Sequence, residues 1–184
     1  MITPAEREFA LQVLDQSGTR VLSLLQRLSL EQLLYRPQQP DGWSVAENVE
    51  HLIVTERRLV RVLEKLVLGP ADFRTRCSMT DEEVLRKIGT AANKVQAPSQ
   101  ALPTLRWPAE TLSHEFATAR RATGDFASAT TADLRRYFIR HFLFGEIDGY
   151  QWLLFIGAHT ERHSAQAERV KTAPRFPIHQ VVQR

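Results

Sequence analysis

Helix-start signals recur along this chain: Thr3-Pro4-Ala5-Glu6, Ser29-Leu30-Glu31-Gln32, Ser44-Val45-Ala46-Glu47 and Thr80-Asp81-Glu82-Glu83 all have the form of a capping box. In such a box the hydroxyl accepts from the N3 amide while the N3 side chain reaches back to the cap amide, so two orphaned backbone donors are satisfied together. Pro4 takes the N1 position of the first, where a missing N–H costs nothing. No segment combines strand alternation with hairpin turns. The chain is expected to be all-α.

Apolar spacing supplies the helix lengths. The first helix is expected from about Pro4 to Leu28, with Ala10, Leu14, Ser17, Val21, Leu24 and Leu28 on one stripe. A short turn follows Ser29, then a Pro/Gly-rich connector from Pro37 to Gly42. The second long helix starts at Ser44 and runs to about Leu68, where Gly69-Pro70 stops it; its stripe is Val45, Val49, Leu52, Glu56, Leu59, Leu63 and Leu66. Residues 70 to 108 read as a long crossover with one modest helix after Thr80. A third long helix spans about Pro108 to Ser128, carrying Leu112, Phe116, Ala119 and Phe126. A short helical piece, Ala132 to Arg140, leads to the last long helix, about Gly145 to Thr172, and an irregular tail begins near residue 174. The expectation is one domain over residues 1–184, a four-helix bundle with a long crossover between the second and third long helices.

Composition excludes several classes. At 184 residues, 43% hydrophobic and 24% charged, the chain has the make-up of one globular domain and not of a disordered segment. The longest apolar run, Trp152 to Ala158, is far below a membrane span, so no membrane association is expected. Glu6 and Glu8 stand where an export signal needs an apolar core, and the single cysteine, Cys77, excludes an internal disulfide; both fit a reducing cytoplasm. Cys77 reads as a bystander thiol. The net charge is only +3, and the arginine clusters at Arg57, Arg58, Arg61 and at Arg135, Arg136, Arg140 are interleaved with acids. They read as solvated helix faces, with no nucleic-acid partner expected.

The last helix carries the chemistry. Trp152, Ile156, His159, His163, Gln166 and Val170 form one stripe at alternating spacings of four and three, apolar at first and polar in its middle. Two histidines and a glutamine on a core line need partners. His159 and His163, one turn apart, project two imidazoles from one face, about 6 Å along the axis. On the second helix Glu56 interrupts the apolar stripe and His51 flanks it. If the two helices face each other, His51 completes a facial set of three neutral nitrogen ligands, which holds a divalent metal and leaves a coordination position free. Glu56 then serves as an outer acceptor of hydrogen bonds or as a general base, and Gln166 orients the His163 ring. The competing reading makes His51 a buried hydrogen-bonded side chain, the His-x-x-x-His pair a chance spacing, and Glu56 and Gln166 core polar groups paired with arginines. Three further residues have two readings each: Trp43 packs as a staple or lines a pocket, His141 approaches the mouth of the site or lies in an exposed loop, and Arg106 holds a substrate carboxylate or sits on a surface loop.

The stretch Gly42-Trp43-Ser44-Val45-Ala46-Glu47-Asn48-Val49-Glu50-His51-Leu52 resembles the start of the second helix in the DinB/YfiT-like superfamily. His141-Phe142-Leu143-Phe144-Gly145, Gln151-Trp152-Leu153-Leu154-Phe155 and His159-Thr160-Glu161-Arg162-His163-Ser164-Ala165-Gln166 are similar to its closing helix in content and spacing. The resemblance spans nearly the whole chain. It implies a four-helix bundle whose metal ligands are His51, His159 and His163. Imidazole nitrogens suit zinc, nickel, copper or iron, with zinc or nickel as the first expectations. The resemblance does not imply one activity. Some similar proteins are transferases or isomerases that use a low-molecular-weight thiol such as bacillithiol, mycothiol or glutathione, and others have no assigned reaction. The leading expectation is therefore a thiol-dependent transferase acting on a small-molecule substrate. The alternatives are a hydrolase using a metal-bound water and a non-catalytic metal-binding stress or interaction protein. Similar proteins often form homodimers, and the same is expected here.

Overall fold

The computed structural model describes residues 2–38, 42–73, 75–89 and 97–177. Parts of the connector, the crossover and the tail (39–41, 74, 90–96 and 178–184) lie outside them. Six α-helices are described: α1 (Pro4–Leu25), α2 (Leu30–Leu34), α3 (Val45–Leu66), α4 (Asp81–Gly89), α5 (Leu112–Ala129) and α6 (Gly149–Val170). The boxes at Thr3, Ser29 and Ser44 form with both reciprocal hydrogen bonds in place. At Thr80 the same exchange joins the Thr80 amide to Glu83 at 2.9 Å and the Glu83 amide to the Thr80 hydroxyl at 3.2 Å. Each cap is worth about 1 kcal/mol to the helix it starts.

The four long helices, α1, α3, α5 and α6, form the all-α bundle that the stripes call for. Both α5 and α6 pack against α1 and against α3, so the consecutive pairs α1/α3 and α5/α6 stand on the diagonals. This arrangement puts α3 beside α6. The shared core is filled by Leu14, Val21, Leu52, Ile53, Leu63, Phe116, Leu154 and Ile156, all nearly inaccessible to solvent. Gly157 permits the close crossing of α1 and α6, because a Cβ there would collide with Val13.

The helical piece expected over Ala132 to Arg140 does not form. A single 3-10 turn, Leu134–Arg136, is followed by an antiparallel hairpin of β1 (Phe138–His141) and β2 (Gly145–Asp148), in which Ile139 faces Ile147 and Arg140 faces Glu146. Gly145 takes φ +73°, which L side chains resist, and its position against Ser78 leaves no room for a Cβ. The last helix therefore starts four residues later than expected, with Asp148 as its cap accepting from the Gln151 amide at 2.7 Å. Arg135, in the 3-10 turn, binds the starts of three helices together. It pairs with Glu6 at 2.7 Å, Asp81 at 2.6 Å and Asp148 at 3.1 Å, and lies 4.1 Å above the Tyr150 ring.

One end of α3 is enclosed on every side. Val45, Ala46, Asn48, Val49, Glu50, His51, Leu52 and Ile53 are all buried, more than one stripe of an amphipathic helix accounts for. The remaining cover comes from the end of the crossover, which lays the 3-10 turn Ser99–Ala101 and the following residues along the face that would otherwise meet water.

Candidate metal centre

His51 on α3 and His159 and His163 on α6 come together. They are, among the described residues, one group whose ligand atoms all lie within 4.8 Å of one another. The Nε2 atoms of His51 and His159 are 3.3 Å apart. A tetrahedral ion with bonds of about 2.1 Å places its ligands about 3.4 Å from each other, so this pair already has the separation such an ion requires.

The opposite edges of two rings are tied down. His51 donates from Nδ1 to the carbonyl of Ala101 at 2.7 Å, and His163 donates from Nδ1 to Oδ1 of Asn48 at 3.0 Å. The direction at Asn48 follows from its own network. Its Nδ2 donates to the Ser44 carbonyl at 2.9 Å, which leaves Oδ1 as the acceptor. With the proton held on Nδ1, Nε2 is the lone-pair nitrogen of both rings, and that of His51 faces His159. Burial pushes the pKa values of His163 and His159 well below the ordinary histidine value, and that of His51 is lowered by the same cause; neighbouring imidazoles and Arg162 add to the effect at His159 and His163. The three rings are thus neutral at pH 7, as metal ligation requires. The donor set fits a divalent ion.

Aromatic rings wall the cluster. Trp43 stacks on His163 at 5.9 Å between centroids and lies 5.0 Å from His51. Phe155 stacks on His159 at 5.4 Å and 13°. Trp43 thus lies against two of the three imidazoles. His141 is buried, not exposed, among Phe142, Phe144, Trp152 and Phe155, one ring removed from His159. His159 is the ligand with most solvent access, the other two being buried.

The remaining expected residues lie as follows. Glu56 lines a shallow crevice together with His159, and both its oxygens are engaged: Arg120 Nε lies 2.9 Å from Oε1, Arg120 Nη2 donates to Oε2 at 3.1 Å, and the Thr123 hydroxyl donates to Oε1 at 2.7 Å. This geometry favours the arginine-paired reading of Glu56. Gln166 is half-buried one turn beyond His163, while the partner of the His163 Nδ1 is Asn48. Arg106 pairs with Glu50 at 3.0 Å. The Cys77 thiol lies 3.2 Å from Asp148, and burial together with that carboxylate pushes its pKa up to about 12, so it is no nucleophile at neutral pH.

His141 makes a pH prediction. Its desolvated ring has a pKa lowered to about 4, against 6.5 when unfolded. Below pH 6.5 the unfolded chain takes up a proton that the folded one refuses, so stability is full above 6.5 and is lost as pH falls towards 4. A gap of about 2.5 units is worth about 3 kcal/mol. An NMR titration is expected to show the His141 ring still neutral at pH 5; a midpoint near 6.5 would contradict it.

The fold and the cluster define a helical-bundle protein with a three-histidine site capable of coordinating a metal ion. The chain belongs to the DinB superfamily, whose family model matches residues 13–167. It is 26% identical over 161 residues to the uncharacterized protein YuaE of Bacillus subtilis (strain 168), covering 86% of this chain and 95% of the relative. It also superimposes on YfiT from Bacillus subtilis with a TM-score of 0.56 at 14% identity, covering 94% of this chain and 89% of the other. That structure is described as a probable metal-dependent hydrolase with an unusual four-helix bundle topology. No helix among the described residues is long and apolar enough to cross a membrane.

Proposed function

We propose that this protein is a metal-dependent hydrolase of small molecules, with His51, His159 and His163 as the ligands of a divalent ion. The observation that carries the reading is the convergence of three neutral imidazoles, two of which have Nδ1 tied to fixed acceptors so that Nε2 is the lone-pair nitrogen. A divalent ion with three neutral ligands keeps its full charge, acts as a Lewis acid and lowers the pKa of water it binds. Asn48 and the Ala101 carbonyl hold ring orientation and tautomer, and the rings of Trp43 and Phe155 pack against His163 and His159. Nitrogen ligands suit zinc or nickel first and admit iron or copper.

The thiol-transferase reading puts a low-molecular-weight thiol at the same ion. Hydrolysis is preferred because it needs no second cofactor and because YfiT, with the same fold, is described as a probable hydrolase. The test is turnover of a panel of ester and amide substrates by metal-stripped protein reloaded with zinc or nickel, with and without added glutathione or bacillithiol. Metal-dependent hydrolysis in the absence of thiol, lost in His163→Ala, is the expected result. Turnover only with thiol present would move the assignment to the transferase.

A further inference from the structure

Glu50 is almost inaccessible to solvent, yet it lies outside the ligand set and on no apolar stripe. Its carboxylate is met by four donors from one short stretch of the crossover. The Thr104 amide donates to Oε1 at 2.9 Å, the Thr104 hydroxyl lies 3.5 Å from the same atom, the Arg106 amide donates to Oε2 at 3.3 Å, and the Arg106 guanidinium donates to Oε1 at 3.0 Å. The residue between, Leu105, has φ +55°, a left-handed conformation that a branched side chain resists. This conformation turns the amides on either side of Leu105 towards one point, forming a concave backbone site for an anion. Here the anion is the Glu50 side chain. The strain persists because the buried carboxylate over-determines it. Arg106 extends the clamp back along the chain by donating from Nη2 to the Leu102 carbonyl at 3.2 Å. Next to Leu102 is Ala101, whose carbonyl accepts from His51 Nδ1.

We infer that Glu50 is a positioning residue for the metal centre: it clamps the end of the crossover onto α3 so that the Ala101 carbonyl locks the His51 ring with Nε2 facing His159 and His163. The inference deepens the three-histidine reading and rests on it for its consequence, though not for its first readout. Glu50 and His51 are adjacent in sequence but point to different partners in the crossover, so the clamp reaches the ligand only through residues 101–106. Loss of the clamp frees the Ala101 carbonyl, and the proton of His51 then redistributes between its two nitrogens. His163, held by Asn48, keeps its own tautomer and serves as an internal control.

The experiment compares wild type with Glu50→Gln, which keeps the shape and removes the charge. Long-range ¹H–¹⁵N spectra of the metal-free protein above pH 7 report the tautomer of each ring. The wild type is expected to hold both His51 and His163 in the Nδ1–H form. In the variant His51 becomes a mixture and His163 is unchanged. Cobalt(II) titration is expected to show affinity reduced about tenfold or more, the loss usual when an outer partner of a ligand is removed. An unchanged His51 tautomer together with unchanged cobalt affinity would overturn the inference. If the wild type binds no cobalt, the metal reading fails, and the tautomer comparison still decides the role of Glu50. If Glu50→Gln does not fold, Arg106→Leu, which leaves the backbone donors in place, decides instead. The same His51 signature with a smaller loss of affinity supports the clamp, and an unaltered His51 overturns it.

Discussion

Alanine at His163 is expected to remove stoichiometric metal from the protein and to leave the bundle helical. Wild-type protein purified without a histidine tag should carry about one equivalent of a divalent metal, or take it up from added zinc or nickel. The variant loses one of three ligands, so its affinity should fall by more than the about 100-fold that even an outer partner can cost. His163 also occupies Oδ1 of Asn48, and leaving that buried acceptor unpaired should cost about 1–3 kcal/mol. A modest drop in melting temperature with an unchanged far-ultraviolet circular dichroism spectrum would therefore accompany the loss of metal. His159→Ala should lose metal as fully. Elemental analysis of the three proteins reads the outcome, and full metal content in either variant would remove the proposed site.

Replacing Glu56 by alanine should produce the largest stability loss of any substitution near the site. Its carboxylate pairs with Arg120, and the arginine reaches every long helix: the Leu14 carbonyl and Ser17 hydroxyl on α1, Glu56 on α3, its own α5, and Thr160 on α6 at 2.8 Å. Removing one member of a buried pair strands the other charge, at a cost of about 3–5 kcal/mol. For a chain of this size that lowers the melting temperature by about 10 °C. Replacing both partners, Glu56→Leu with Arg120→Met, should cost clearly less than the two single changes added together, since no charge is then left alone. Denaturant melts of the four proteins measure this coupling. A Glu56→Ala protein as stable as wild type but without turnover would restore Glu56 to a role as general base.

The helix starts were legible because a capping box is local: donor and acceptor lie three residues apart, and Thr3, Ser29 and Ser44 all cap as their sequences indicate. The stripe through His159 and His163 was legible because helical periodicity puts them on one face whatever the helix packs against. The hairpin has no such local signature: its strands are four residues each, too short for an alternation to rise above chance, and Gly145 reads as a helix boundary although it closes the turn.

What the sequence by itself determined is therefore the set of long helices, the apolar faces that force them into a bundle, and the residue types able to bind a metal. The choice of partners belonged to the tertiary structure. Asn48 meets His163 across 115 positions, Arg120 meets Glu56 across 64, and the acceptor for His51 is a backbone carbonyl, which any residue at 101 would offer. Such pairings carry no local pattern. They exist only because α3 packs against α6 and the crossover is drawn over the start of α3, and that packing converts three separate imidazoles into one site.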